Sequence, residues 1–222
     1  MSSLNFRPLW RYEDFFIEGI ITTLKLAFLS GASGLLLGLA LALLLGRKNR
    51  AITILIRSYI EIIRNTPPVL QIFIIFFVMP QLGFRLPPFE ASVVALTLYF
   101  AAFVCEIVRS GLSSIPKSQI EAGHCLGITR VQVFLHVVLL PALRNIYPSL
   151  TSQFILLLLG TSIASFISTE ELFYQAAYVD SRTFRSFEVY AVVSAIYVAM
   201  VMAFRLLFFA IGKLAFRWPV AR

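Results

Sequence analysis

Glu106 and Arg109 stand three residues apart in an apolar run, which puts a carboxylate and a guanidinium on one helix face. Ionisable residues in such surroundings are costly and concentrate where a protein passes or gates a solute. A structural or gating role suits this pair better than substrate contact. Glu61 and Arg64 flank the Pro67-Pro68 pair, and Lys25 lies near a helix end, where its long stem can snorkel. Arg64, Thr66, Gln71, Tyr99, Gln153, Thr161 and Ser162 place a cation, hydroxyls and amides among apolar residues. Such groups can donate to and accept from a polar solute, so these seven mark a candidate path for a small one. For Thr161 and Ser162 the alternative is ordinary back-bonding to helix carbonyls.

Residue sets for covalent or hydrolytic chemistry are missing from the sequence. Gly212-Lys213 is followed by Leu214 and lacks the glycine-rich lead of a phosphate loop. No GxSxG elbow and no HExxH helix occurs. His124 and His136 stand twelve apart in a polar stretch, and Cys105 and Cys125 have neither metal-ligand spacing nor a disulfide framework. The cysteines read as free thiols. The sequence thus predicts no catalytic residue, no bound metal and no cofactor in this chain.

The elements that must position these groups follow from hydropathy. The 222 residues are 59% hydrophobic and 14% charged, with a mean hydropathy of +0.86, whereas soluble domains are about a quarter charged. A net charge of +8 would allow nucleic acid as a partner. The basic residues, however, fall in short clusters between apolar runs, such as Arg47-Lys48-Asn49-Arg50, so the expected partner is a lipid bilayer. No cleavable signal peptide is visible. A span needs about 20 mostly apolar residues. Runs occur at Leu26–Leu45, with Phe15 to Lys25 leading in, and at Ile52–Ile63 with Val69–Met79, kinked or broken at the prolines. Three more follow at Ala91–Val108, Ile146–Ile167 and Tyr190–Ile211. Gly31, Gly34 and Gly38 in the first run would let another helix approach. The prediction is an all-α membrane protein, one domain over residues 1–222, with about five transmembrane helices. Arg47, Lys48, Arg50, Arg57, Arg109, Lys117, Arg130, Arg144, Arg205, Lys213, Arg217 and Arg222 fall on one side and Arg7, Arg11, Arg85, Arg182 and Arg185 on the other. The first side is predicted to be cytoplasmic, with the N-terminus outside and the C-terminus inside.

Between the third and fourth runs, Ser114 to Pro141 is too polar to span but has order. Ser114 and Pro116 can open a short helix, Lys117 to Leu126, that ends at Gly127; Thr129 can cap a second helix through Val133, Phe134 and Val137. The small residues Ala122 and Gly123 beside Glu121 suit a helix that enters a groove on another protein. A loop lying on the membrane fits the same residues.

Glu121-Ala122-Gly123, three residues, Gly127, nine residues and Val137-Val138-Leu139-Leu140-Pro141 resemble the EAA loop of ABC-importer permeases. Gly123 replaces the second alanine of that pattern and the proline stands one place late, while Ala142-Leu143-Arg144 stays in register. Glu61 to Pro68, Glu106 to Gly111 with Ser114 to Lys117, Gly160-Thr161-Ser162 and Arg182 to Tyr190 resemble segments of the polar amino-acid permeases. That resemblance implies a cytoplasmic coupling loop at about 112–141, with Glu121, Ala122, Gly123 and Gly127 docking on an ATPase. It also implies a bacterial inner-membrane location. The implied partners are a second permease, identical or paralogous, two ATPase subunits that hold ATP and magnesium, and an extracytoplasmic amino-acid-binding protein. The mechanism would be alternating access; a channel or secondary transporter without an ATPase is the competing class. Gln153 resembles a position that is acidic in some cationic amino-acid importers, and its neutrality points to a polar neutral or acidic substrate.

Overall fold

The computed structural model describes residues 4–46 and 49–216, which form helices and no strands. Arg47, Lys48, Arg217 and Arg222, part of the orientation argument, lie outside the described residues. Four helical rods are long and apolar enough to cross a bilayer: Arg7–Leu45, Pro88–Ser113, Arg130–Ile167 and Ser186–Ala215. A pair bent by 110°, Arg50–Arg64 with Pro68–Leu82, has the length and apolarity of a fifth if its two limbs count as one broken span.

The first rod is longer than its most apolar run. α1 (Glu13–Leu45) is one helix, so Phe15 to Lys25 belongs to the span and does not merely lead into it. A short 3₁₀ turn, Arg7–Tyr12, precedes it. Its glycines are where the neighbours approach. A methyl group at Gly38 would lie 2.6 Å from Val104 Cβ, and one at Gly31 would lie 2.8 Å from Phe154 Cε2. Ser33 Oγ and Thr97 Oγ1 add a hydrogen bond of 2.7 Å across the same seam. The partner at that seam, α4 (Pro88–Ser113), buries Ala95, Ala101, Ala102, Val104 and Cys105.

The proline pair does more than kink the second span. α2 (Arg50–Arg64) and α3 (Pro68–Phe73) meet at 110°. Pro67 is extended, with ψ of 135°, because the following proline excludes the helical region for it. α3 then loosens through a wide turn, Ile74–Val78, and a 3₁₀ turn, Met79–Leu82, ending on Gly83.

The polar stretch after α4 begins as expected. α5 (Lys117–Cys125) has Pro116 at its N-cap, and Gly127 ends it in the left-handed region with φ of +73°. Ser114 plays a different part from the one predicted: its hydroxyl donates to Gly111 O at 2.7 Å, closing α4 instead of opening α5. Thr129 and Gln132 form a reciprocal capping box at α6 (Arg130–Gln132). No separate loop helix follows. α6 runs through a π-helical stretch, Val133–Leu139, into α7 (Leu140–Gly160) and a 3₁₀ end, Thr161–Ile167. The π register explains the continuity, since Pro141 has no N–H and its ring would clash with the carbonyl four residues back in a regular helix.

The polar stretch from Ser168 to Glu188 holds a helix as well. α8 (Leu172–Thr183) buries Leu172, Gln175, Ala176 and Val179 against α1, and a methyl group at Gly19 would lie 2.8 Å from Leu172 Cα. α9 (Ser186–Ala215) closes the described chain.

Candidate functional site

Two regions carry the residues singled out above: the broken second span with its neighbours, and the α5 loop.

At the break, the last carbonyls of α2 lose their helical donors. Gln71 replaces them. Its Nε2 donates to Ile63 O at 2.8 Å, Thr66 O at 3.1 Å and Thr66 Oγ1 at 2.9 Å. Thr66 Oγ1 donates in turn to Ile62 O at 2.8 Å. Asn65 Nδ2 reaches Glu61 Oε2 at 3.0 Å, so Glu61 is engaged within its own turn. Three acceptors around one amide nitrogen fix the orientation of the Gln71 side chain, and its Oε1 is left buried without a partner.

Tyr59 O–H donates to Leu98 O at 2.5 Å and pins α2 to α4. Arg64 is exposed to one side of this seam, its guanidinium 5.5 Å from the Phe103 ring centre, and Tyr99 lies 4.8 Å from the same ring. Glu106 and Arg109 form the expected ion pair through both carboxylate oxygens. Arg57 and Arg64 of α2 add to the positive field at Glu106. Arg64, Tyr99, Glu106 and Arg109 therefore share the α2–α4 face.

Gln153, Thr161 and Ser162 stand apart from that face. Gln153 is buried in α7, on the side that also buries Ala142, Ile146 and Leu157, and its Nε2 has no partner. Thr161 and Ser162 back-bond to Leu158 O at 2.7 Å and Leu159 O at 2.8 Å. Ser162 also lines a groove of about 340 Å³ with Phe173, Tyr190, Ser194 and Tyr197. No hydrogen bond among the described residues links Arg64 to Gln153. What unites Gln71 and Gln153 is that they hold the unpartnered buried side-chain polar atoms of the described residues, one acceptor and one donor.

The loop site is exposed. Glu121 and Ala122 face solvent, while Gly123 is buried, and a methyl group there would lie 3.1 Å from Val133 Cγ2. The glycine found where the loop pattern has alanine thus lets α5 fold back on the following helix. Leu126 N–H closes on Ala122 O at 3.0 Å, leaving the Leu126 side chain 80% exposed at the helix tip. Leu126 was missed in the sequence; an apolar residue directly before a helix-ending glycine in a polar loop is the signal. Gly127 has open space around its Cα, so its role is its left-handed backbone and not tight packing within this chain.

Also missed was a buried carboxyl at the start of α8. Glu171 is fully buried, caps α8 by accepting from Tyr174 N–H at 2.8 Å, and accepts from Tyr197 O–H of α9 at 2.9 Å. Thr23 Oγ1 of α1 takes the Leu172 N–H beside it at 3.1 Å. Burial raises the Glu171 pKa above the usual carboxylate range, against the pull of these donors. Its visible signal was a carboxylate directly before Leu172, Ala176 and Val179 at helical spacing.

The described residues thus form an all-helical bundle with a broken helix pair, two buried amides that each keep an unpartnered atom and an exposed loop helix, and they hold no cluster of metal ligands. Residues 34–218 match the family model of the binding-protein-dependent transport system inner membrane component, and the chain belongs to that family. It is similar to the probable glutamine ABC transporter permease protein GlnM of Bacillus subtilis (strain 168), at 34% identity over 197 residues, 89% of this chain and 91% of that one. The arginine transport system permease protein ArtQ of the same organism is 34% identical over 189 residues, 85% of this chain and 86% of its own length. A crystal structure of an amino acid ABC transporter with histidines superposes with a TM-score of 0.88 at 36% identity, covering 96% of this chain and 99% of that chain. The resemblance drawn from the loop and helix motifs holds.

Proposed function

We propose that this chain, residues 1–222 as one transmembrane domain, forms half the pore of an ATP-driven importer of polar amino acids in a bacterial inner membrane. A second permease, identical or paralogous, supplies the other half. Two ATPase subunits hold ATP and magnesium, and an extracytoplasmic binding protein delivers the substrate. The N-terminus faces outside and the α5 loop faces the ATPases. The observation that carries this reading is the loop: Glu121, Ala122 and Leu126 project from a helix braced at Gly123 and ended by Gly127. An exposed leucine on a braced helix is a ready contact for a protein groove and a costly one for water.

Along the path, the free Gln71 acceptor suits an ammonium and the free Gln153 donor suits a carboxylate. Thr66 holds the break in shape, and Arg64 and Tyr99 flank it, with Ser162 and Thr161 at the far end of α7. Glu106 and Arg109 act structurally or in gating. The relatives above are named for a neutral and for a cationic amino acid; the neutral Gln153 favours a polar neutral or acidic substrate here, because an unpaired charge in a low-dielectric site is expensive.

The test reconstitutes the chain with its companion subunits and measures substrate-stimulated ATP hydrolysis. Leu126→Asp is expected to abolish stimulation while leaving membrane insertion intact. Transport that persists without any ATPase would establish the competing channel or secondary-transporter class. On selectivity, Gln153→Glu is expected to weaken glutamate uptake and to raise arginine uptake; unchanged selectivity would remove Gln153 from the path.

A further inference from the structure

We propose that the groove between α7 and α9 binds the headgroup of an anionic phospholipid, with an acyl chain in the apolar trough beside it. The groove, about 530 Å³, is lined by Arg144 of α7 and by Arg205 and Lys213 of α9, over a floor that includes Tyr147, Phe208 and Phe209. No acidic residue lines it, and none of the three cations is in an ion pair among the described residues. Lys213 Nζ lies 5.1 Å from the Phe209 ring centre. Three cations lining one groove without counter-charges favour an anion there, and arginine matches a phosphate with two parallel donors.

The trough next to it decides between a soluble anion and a lipid. It holds about 440 Å³ and is lined by Leu35, Phe100, Phe154 and Phe204 among others. Tyr147, Thr151 and Phe208 belong to both cavities and form their common wall. The two hydroxyls in that wall are already used: Tyr147 O–H donates to Phe208 O at 2.6 Å and Thr151 Oγ1 to Pro148 O at 2.9 Å. The trough therefore offers almost wholly apolar surface and no free hydroxyl donor. A free phosphate would fill one cavity and leave the other bare, whereas an amphiphile with an anionic head fills both. Basic pockets between spanning helices at the membrane surface bind anionic lipid headgroups by this combination. Arg205 lies about 15 Å along the helix from its end at Ala215, a distance that its long stem shortens by snorkelling toward the phosphate.

The inference needs only the membrane location of the chain and stands apart from the substrate reading. Its test is native mass spectrometry of the full chain purified with its companion subunits. Phosphatidylglycerol and phosphatidylcholine of matched chains compete, with glycerol phosphate as the soluble control. The expected result is preferential retention of phosphatidylglycerol, unaffected by glycerol phosphate, and reduced about fivefold for each charge removed in Arg205→Gln and Lys213→Gln. Displacement by glycerol phosphate would assign the groove to a soluble anion, and an unchanged preference in the double variant would place the lipid elsewhere; either overturns the proposal. A photoreactive side chain at Phe209, in a chain that is otherwise intact, provides the second measurement. A phospholipid adduct supports the assignment, and an adduct to another protein subunit overturns it.

Discussion

α4 and α9 have nearly the same hydropathy, 2.1 and 2.2 in their most apolar windows, yet 56% of the first window is buried within the chain and 11% of the second. Position in the bundle separates them. α4 packs against α1, α2, α3 and α7 and buries Ala95, Ala101, Ala102 and Cys105, whereas α9 packs against α7 and α8 and turns Val198, Met202, Leu206, Leu207 and Phe209 outward. Hydropathy reports that both helices avoid water. It does not say whether protein or lipid takes the place of water, because lipid tails are as apolar as leucine. Small residues alone do not say it either, since Ala191, Ala195 and Ala199 of α9 are exposed; the neighbours that a helix meets within the chain do.

The sharpest test of that contrast is a substitution at the α1–α4 seam. Gly38→Leu pushes into Val104 and into the Ala101 carbonyl, 2.8 Å from where a Cβ would stand. It is expected to cost about 3 kcal/mol and to strip the protein from the membrane fraction. Leu206→Ala on α9, a change of similar size at an exposed position, should stay within about 0.5 kcal/mol in detergent unfolding. Equal costs at the two sites would break the comparison.

A smaller effect is expected at the elbow, which belongs to the tightly packed half. Gln71→Leu keeps the bulk but removes donors from Ile63 O, Thr66 O and Thr66 Oγ1. The loss should be about 2 kcal/mol, with faster hydrogen exchange confined to residues 62–71.

The least disruptive test is the pH response of Glu171, which joins α8 to α9 through Tyr197. Its folded pKa is raised by burial, so its contribution to stability is full below the unfolded carboxylate pKa and is lost as the pH rises through the folded value. Thermal stability of the wild-type chain should decline across that window, and Glu171→Gln should flatten the decline. An identical slope in both would mean that the carboxyl is not protonated in the folded state.

Much of this was legible in the sequence. The spans, the Lys117 helix, its end at Gly127, the Thr129 cap and the Glu106–Arg109 pair all rest on local rules of spacing and capping, and the structure keeps them. α8 is hard to see in the sequence: Glu170, Glu171, Asp180 and Glu188 lie in or beside it, and their charge masks the period of Leu172, Ala176 and Val179. The elbow angle depended on Gln71 finding the carbonyls of Ile63 and Thr66, a tertiary arrangement that no window average reports. The candidate path was legible as residue types but not as geometry. Gln71 and Gln153 stand out by lacking partners, and a missing partner is visible only in three dimensions.

The elbow has a consequence for how the chain is made. Each limb is too short to cross alone: the 15 residues of α2 rise about 22 Å, against a hydrocarbon core of about 30 Å, and α2 carries Arg57, Glu61 and Arg64. A nascent chain that has reached only Val78 lacks Leu98, the acceptor for Tyr59, and Phe103, the platform for Arg64. The elbow is then expected to wait at the insertion machinery until α4 emerges and to enter the lipid together with it, whereas α1 is long and apolar enough to cross alone. Nascent chains stalled after residue 80 should stay cross-linkable to the insertion channel, and those stalled after residue 150 should be released into lipid.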